Sequence, residues 1–533
     1  MRGRIVIYCF LIVVSSAHLM AQNVLPTPTS MQVRTGTFIM ETAYLVTSNM
    51  DLKKKAFYLT DEMEQLTKLT GRFEAKQDTG EISLLVNDFP ELGREGYYLD
   101  ITSQGIIIKA NNEAGIFYGI TTLLQLAFEY KAFGRIEWPL ISITDVPRMR
   151  WRSFMFDSGR QYHTMRHLKE YLDHMAMLKM NVFHWHLTEH DGWRIEIKRY
   201  PKLTSIGSNV GPWPEQKGYY TQDQIKEVIA YAAERNIEVV PEIDLPGHSN
   251  AALHAYPEMA CMGERPVRLE KGHSPVIFCG GREATYTFLE NVLDEVMALF
   301  PSQYIHLGGD EAPKDHWAVC DDCQARTKKE GLKDSHELQL YFSKRLALYL
   351  QENGRKAIFW DDVVRDNEGI KMPANTVINW WNYRKHKEKG LVDGVNNGFE
   401  VIAGTNYYTY LFFPITPWAG CNENRTFDLK MAYESNPSDI DHSSDLMLGM
   451  SASMWGDYNI QQNMNDRFVF PRIYALTEQM WSTAKRLPFN DFYTKVKGKY
   501  PYLTYKHIDY GPALKSETPD DYSWQYNEVW GKK

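Results

Sequence analysis

Between residues 22 and 145, short β-branched runs at 82–86, 97–101 and 106–110 alternate with apolar positions at helical spacing over 56–69 and 114–128. That mixture predicts an α+β module. Beyond residue 146 the pattern becomes regular. Strand-like runs recur at 151–157, 181–187, 237–243, 304–308, 357–361, 376–381, 400–405 and 447–455, with helical patterns between them, clearest at 165–179, 221–235, 284–300 and 335–353. Eight β runs alternating with α segments predict a (β/α)8 barrel rather than an open sheet. The expected division is a signal peptide over 1–21, an α+β domain over 22–145, the barrel over 146–486 and a Tyr- and Lys-rich extension over 487–533.

The N-terminus supports the first of these divisions. Arg2 and Arg4 precede an apolar run from Ile5 to Val14, and small Ala21 stands before Gln22. About ten apolar residues are too few to span a bilayer, so the segment reads as a cleaved secretory leader and the mature chain as secreted or periplasmic. Cleavage takes the net charge from −8 to −10, because two arginines and no acid are lost. No basic block or Lys/Arg stripe is present, which excludes the electrostatic footprint of a nucleic-acid binder. No later segment is apolar and long enough for a membrane span. Of the six cysteines, Cys9 leaves with the leader. Cys320 and Cys323 form a lone CxxC, and Cys261 and Cys279 bracket a loop. The spacing offers that CxxC no neighbouring second ligand pair for zinc, so disulfides are expected, with Cys421 left as a free thiol.

In a parallel barrel the reactive groups sit where strands end. Polar residues gather there seven times: at 157–160, 184–191, 242–248, 310–311, 361–362, 407–410 and 455–457. The sharpest cluster is Tyr304-Ile-His-Leu-Gly-Gly-Asp-Glu311. Neighbouring side chains on a regular strand face opposite ways, so Asp310 and Glu311 can share a pocket only where the strand breaks, and Gly308-Gly309 permits that break. Two carboxyl groups of different proton affinity are what glycosidic cleavage requires. His184 and His186 face one side of their strand, yet neither a carboxylate nor a third His stands at metal-ligand spacing, so they are expected to support the site rather than hold a metal.

His-Leu-Gly-Gly-Asp-Glu is closely similar to the signature of family-20 glycoside hydrolases, the β-N-acetylhexosaminidases. Gly96-Tyr-Tyr-Leu and Ala114-Gly-Ile-Phe-Tyr-Gly-Ile-Thr-Thr-Leu-Leu-Gln resemble the family's N-terminal module. Trp151-Arg152, Asp157 to Arg160, Asn181-Val-Phe-His-Trp-His-Leu-Thr, Gly192-Trp-Arg, Pro241-Glu-Ile-Asp-Leu-Pro-Gly-His and Trp360-Asp resemble its barrel motifs in the family's order. The resemblance implies an exo-acting, retaining enzyme that releases terminal β-linked N-acetylglucosamine or N-acetylgalactosamine from glycans. The substrate's own 2-acetamido oxygen attacks the anomeric carbon and forms an oxazolinium ion. Glu311 would be the acid/base, Asp310 would accept from the acetamido N–H, and Tyr410 would donate to its oxygen, with Tyr408 as the alternative. His248 would couple Glu311 to a carboxylate at Glu189. Arg160 would grip the C3 and C4 hydroxyls, and Trp360, Trp381, Trp418 and Trp455 would offer aromatic faces, with Trp380 competing for the role of Trp381. No metal or organic cofactor is implied.

The chain departs from the family pattern at three places. Glu189 stands where the family usually has Asp; Phe412 replaces an Asp two residues after the tyrosine; and Asp457 replaces a Glu two residues after the late-strand Trp. The last two positions normally hold the C4 and C6 hydroxyls, so the chemistry is expected to be intact and the sugar preference altered. Loss of the carboxylate at 412 removes repulsion and opens space near O6, which leads us to expect that the site admits, and prefers, an O6-sulfated or otherwise O6-substituted N-acetylglucosamine. Release of a disaccharide by the same mechanism, or a catalytically silent glycan-binding protein, are the alternatives.

Overall fold

The computed structural model describes residues 23–519, apart from 42, 77–79, 133, 267–273, 366–368, 383–389, 414, 416–426, 436–443, 457–459, 461 and 484–485. The leader, Trp418, Cys421 and Asp457 lie outside the described residues. The chain forms two compact units, one reaching to Val146 and including Tyr493–Lys499, the other comprising Pro147–Phe492 and Tyr500–Lys533.

The first unit is built on an eight-stranded mixed sheet. Its order is Ser30–Glu41, Arg135–Asp145, Tyr97–Thr102, Gly105–Ala110, Ile82–Val86, Ala43–Ser48 and Thr70–Glu74, with Lys131–Ala132 paired to Arg135–Asp145. The three β-branched runs are strands as expected. Strand Ser30–Glu41 left little signal because most of its side chains are exposed, so its composition carries almost no apolar alternation. Helix Glu113–Tyr130 starts where the Asn112 side chain accepts from the Ala114 amide, and it buries every residue from Ala114 to Ala127. The helical spacing expected over 114–128 is thus present, on a helix enclosed on nearly all sides.

The second unit is a closed parallel barrel. Its strands are β1 (Trp151–Asp157), β2 (Val182–His186), β3 (Glu238–Glu242), β4 (Tyr304–His306), β5 (Lys356–Trp360), β6 (Val377–Trp380), β7 (Glu400–Ala403) and β8 (Met447–Met454), and β8 pairs back onto β1. The helices expected between them are present. Met165–Met177 starts at Thr164, whose hydroxyl accepts from the His167 amide, and Gln222–Glu234 starts at a reciprocal Thr221/Gln224 capping box. One apolar side chain from every strand fills the N-terminal end of the barrel: Trp151, Val182, Val240, Tyr304, Ile358, Val377, Ile402 and Leu448. That plug leaves the opposite ends of the strands to carry polar groups.

Closure between β8 and β1 depends on Gly449, whose φ is +153° and whose missing Cβ would sit 1.9 Å from the Trp151 carbonyl oxygen. Gly449→Ala should therefore push the two strands apart and cost about 2–4 kcal/mol. A denaturation midpoint equal to wild type would show that the seam yields without strain.

The cysteine expectation is corrected by the fold. Cys261, Cys279, Cys320 and Cys323 are free, buried thiols gathered in one place rather than disulfides. Residues far apart in sequence are brought beside the CxxC by the chain reversals after β3 and β4, which linear spacing does not reveal. Among the described residues no helix is long and apolar enough to cross a membrane.

Candidate active site

The β4 strand stops at His306, and Gly308 and Gly309 take φ of +65° and +101°. A Cβ on Gly308 would fall 1.7 Å from Asp244 Oδ1, so glycine is required both for conformation and for space. The break turns Asp310 and Glu311 toward the same part of the barrel mouth, as both lie within 4 Å of one imidazole. His248 Nε2 is 3.5 Å from Asp310 Oδ2 and 3.9 Å from Glu311 Oε2. Glu311 and His248 themselves adopt left-handed φ of +46° and +48°, a conformation that costs non-glycine residues about 1–3 kcal/mol and persists where surrounding structure enforces it.

His248 is held from behind. Its Nδ1 lies 2.9 Å from Glu189 Oε1, which also accepts the His190 amide at 2.7 Å. Glu189 therefore makes the histidine contact despite its extra methylene. Burial alone would lower the proton affinity of His248, but Glu189, Asp310 and Asp244 raise it well above the ordinary imidazole value. Burial likewise opposes ionisation of Glu189, and Arg160 and His248 override it, holding that carboxylate well below its usual range. Asp310 is raised instead, first by burial and then by Asp362 and Glu311, against a lowering by His248. The cluster therefore combines a fixed anion, a fixed cation and a carboxyl group that retains its proton more readily than normal.

Arg160 Nη1 is 2.8 Å from Asp157 Oδ2 and Nη2 is 3.0 Å from Glu189 Oε2, and its guanidinium lies 5.1 Å from the Trp455 ring centroid. These contacts fix the plane of its donors. Tyr410 bridges by backbone to Ser453 of β8 and is buried 5.8 Å from Trp455. Burial, then the charge of Asp310, raises its hydroxyl well above the ordinary phenol value, so it remains a donor. Tyr408 lines a separate surface pocket with Asp428, Lys430 and Glu434.

The three described tryptophans differ. Trp360 is 1% exposed and its indole N–H donates to Glu242 Oε1 at 2.9 Å, making it the floor of the site. Trp381 and Trp455 are each 7% exposed. The Trp381 N–H donates to Asp362 at 2.6 Å, whereas that of Trp380 turns to the Asn382 carbonyl.

Below the carboxylates lies a network that sequence spacing missed. Glu242, 0% exposed, has Oε2 at 2.8 Å from His184 Nε2 and 2.6 Å from His186 Nδ1, and Oε1 at 3.2 Å from His306 Nδ1. A carboxylate and a third histidine do join His184 and His186, contrary to the expectation from one strand's spacing, because β3 and β4 are the next strands around the barrel. Burial lowers His184 to about 4, leaving it neutral, while Glu242 and Glu189 outweigh burial to keep His186 charged. Asp244 and Asp361 stood inside the barrel motifs and Asp362 in a strand-end cluster, with no role assigned to any of them. Asp244 accepts the Gly309 amide at 3.2 Å, and Asp361 accepts that of Trp381 at 2.9 Å.

Comparison with known proteins shows the family. Residues 149–484 match the model of the glycosyl hydrolase family 20 catalytic domain, and residues 21–146 match that family's domain 2. The chain is similar to a β-hexosaminidase of Porphyromonas gingivalis, 34% identical across 93% of this chain and 65% of that protein, so it spans somewhat under two thirds of that relative. A β-hexosaminidase of Akkermansia muciniphila is 31% identical across 86% of this chain and 94% of its own length. The crystal structure of a β-N-acetylhexosaminidase from Bacteroides fragilis superposes with a TM-score of 0.87 at 45% identity, covering 94% of this chain and all of that one.

Proposed function

The chain belongs to glycosyl hydrolase family 20, and on that premise we propose that it is an exo-acting β-N-acetylhexosaminidase releasing terminal β-linked N-acetylglucosamine or N-acetylgalactosamine with retention of configuration. The observation that carries the reading is the convergence of Asp310, Glu311 and His248 at the broken end of β4, beside a buried Tyr410. Related proteins bear names of the same activity, among them an exo β-N-acetylglucosaminidase from Vibrio harveyi solved with N-acetylglucosamine, 28% identical with a TM-score of 0.83.

In this mechanism the acetamido oxygen displaces the aglycone from the anomeric carbon while Glu311 gives its proton to the departing oxygen. Asp310 accepts the acetamido N–H and balances the positive charge of the oxazolinium ring, and Tyr410 donates to the acetamido oxygen. Glu311 then takes a proton from the water that opens the ring. Arg160, clamped by Asp157 and Glu189, presents donors to the sugar hydroxyls, and Trp381 and Trp455 flank the acetamido group. Turnover of p-nitrophenyl β-N-acetylglucosaminide and galactosaminide tests the reading. Binding without turnover would favour the silent glycan-binding alternative, and release of disaccharide units alone the disaccharide-releasing one. Export behind residues 1–21 is part of the proposal, checked by a mature N-terminus at Gln22.

Asp310 must be ionised to work, and its carboxyl is raised by burial and by Asp362. The acid limb of kcat/KM should therefore lie above the range of an ordinary Asp. Asp362→Asn removes one raising charge while its amide oxygen can still accept from Trp381, so the limb should move to lower pH. A stationary limb would show that another group sets it.

A finer preference follows at residue 412. Phe412 is buried with its ring 6.1 Å from that of Tyr410, so an apolar ring stands where the family carries a carboxylate. An O6 sulfate meets no negative charge from that position. Turnover of the 6-sulfated aryl N-acetylglucosaminide is expected within about tenfold of the plain sugar; strong preference for the plain sugar would refute this.

A further inference from the structure

The four gathered thiols lie outside the carboxylate cluster and have no part in the hydrolytic mechanism. Cys261 follows the loop after β3, Cys279 precedes helix Glu283–Leu299, and Cys320 and Cys323 sit at the start of helix Asp321–Lys329 after β4. Their exposures are 4%, 0%, 6% and 0%. The Sγ atoms of Cys261 and Cys323 are 3.6 Å apart, those of Cys279 and Cys323 are 3.7 Å, those of Cys279 and Cys320 are 4.0 Å, and all four lie within 4.8 Å of one another.

These distances discriminate between chemistries. A disulfide would bring two sulfurs to about 2.05 Å and would pair the four two by two. Here Cys323 is equally close to Cys261 and Cys279, and Cys279 is shared by Cys320 and Cys323, which is the pattern of a common centre. Four thiolates at about 2.3 Å from a tetrahedral zinc ion have sulfur–sulfur edges of about 3.8 Å. The Cys320-x-x-Cys323 spacing is also that of a structural zinc half-site.

The surroundings suit an anionic tetrathiolate. The N-terminal turn of helix Asp321–Lys329 carries Cys323, and a helix N-terminus favours a thiolate. The Arg282 guanidinium ties the same strands of chain together, donating to the Ala260 carbonyl at 3.0 Å, to the Cys261 carbonyl at 2.5 Å and to Asp322 Oδ2 at 2.7 Å. The Trp317 indole N–H donates to the Phe278 carbonyl at 2.9 Å, adding a second tie across the same junction.

We infer that Cys261, Cys279, Cys320 and Cys323 bind one structural zinc ion as a tetracysteine site, clasping the loop after β3 to the loop after β4. Binding replaces four S–H protons, released to solvent, by four Zn–S bonds, with no change of oxidation state. The consequence for function is positional. The first clasped loop carries Asp244 and His248, the second carries Asp310 and Glu311, and they approach closely, a Cβ on Gly247 being placed 3.3 Å from the Asp310 carbonyl oxygen.

The test is metal content of the full chain purified without chelator. One zinc per chain by elemental analysis is expected, retained in Cys421→Ser and lost in Cys279→Ser or Cys323→Ser. Titration of the wild-type protein with an organomercurial should release that zinc in step with four thiols. Cobalt substitution should give the absorption of a tetrahedral tetrathiolate ion. Because the wild-type metal count needs no variant to fold, misfolding of a serine variant does not blunt the test. A wild-type chain that carries no zinc, whether its four cysteines are then alkylated freely or found as two disulfides, overturns the inference.

Discussion

Glu311→Gln should lower hydrolysis of an N-acetylglucosaminide with a poor leaving group by about 10²–10⁴-fold, the ordinary value of a positioned general acid. The loss should be far smaller in the first step of a substrate whose leaving group departs without a proton. The reason lies in the division of labour at the site. In the proposed mechanism the nucleophile belongs to the substrate, and Asp310, Tyr410, Trp381 and Trp455, assigned there to the acetamido group, are untouched by the substitution. The backbone at 311 is already held at a φ of +46°, so an isosteric amide can occupy the same place. Comparing single-turnover rates on the two substrates checks this, and equal turnover by wild type and variant on both would remove Glu311 from the mechanism.

The second large effect is expected at a residue that touches no substrate. Glu242→Gln should destabilise the barrel by about 3–5 kcal/mol, the cost of breaking a buried ion pair. Glu242 Oε2 lies against His184 and His186 and its Oε1 accepts from Trp360, so an amide N–H in either orientation meets a group that cannot accept it. Turned one way it faces the charged His186, turned the other the indole N–H. Burial opposes ionisation of Glu242, and His186, His306 and His184 together override it, holding the carboxylate well below its usual range. The stability it contributes is thus present above the unfolded carboxylate value and fades only as pH falls through the lower folded one. The His186 contribution is present below the unfolded imidazole value and fades as pH rises through the raised folded one. Near neutrality both persist, so the denaturation midpoint of Glu242→Gln should fall most clearly there. An unchanged midpoint would mean that the network contributes no net stability.

Much of the molecule could be read before any coordinates. Eight strand-like runs, their helical interludes and the polar residues at seven strand ends came from local periodicity, because a β-strand enclosed by helices must be apolar along its length and must turn polar where it emerges. The break at Gly308-Gly309 followed from stereochemistry alone: two adjacent side chains can share a pocket only if the strand stops, and both glycines do have positive φ. The placements of Asp310, Glu311, His248 and Glu189 were likewise available, since each occupies a motif position.

Other features were decided in three dimensions. The partners of His184 and His186 come from β3 and β4, close around the barrel but distant in sequence, so no spacing rule along β2 could supply Glu242 or His306. Trp360 resembled an aromatic wall and is instead the floor, because burial depends on what packs over a strand end. The four thiols show the same limit most plainly. Cys261 and Cys279 lie 62 and 41 residues before their sulfur neighbours Cys323 and Cys320, and two loops folding against each other bring them within contact range. An exposed strand such as Ser30–Glu41 carried too little apolar alternation to be read, whereas the sequence by itself determined the barrel's strands and helices and the polar residues at its mouth, since these follow from local backbone period and side-chain polarity. Which of those residues meet, and with what charge, was decided by barrel closure, because distances and desolvation are properties of the assembled fold.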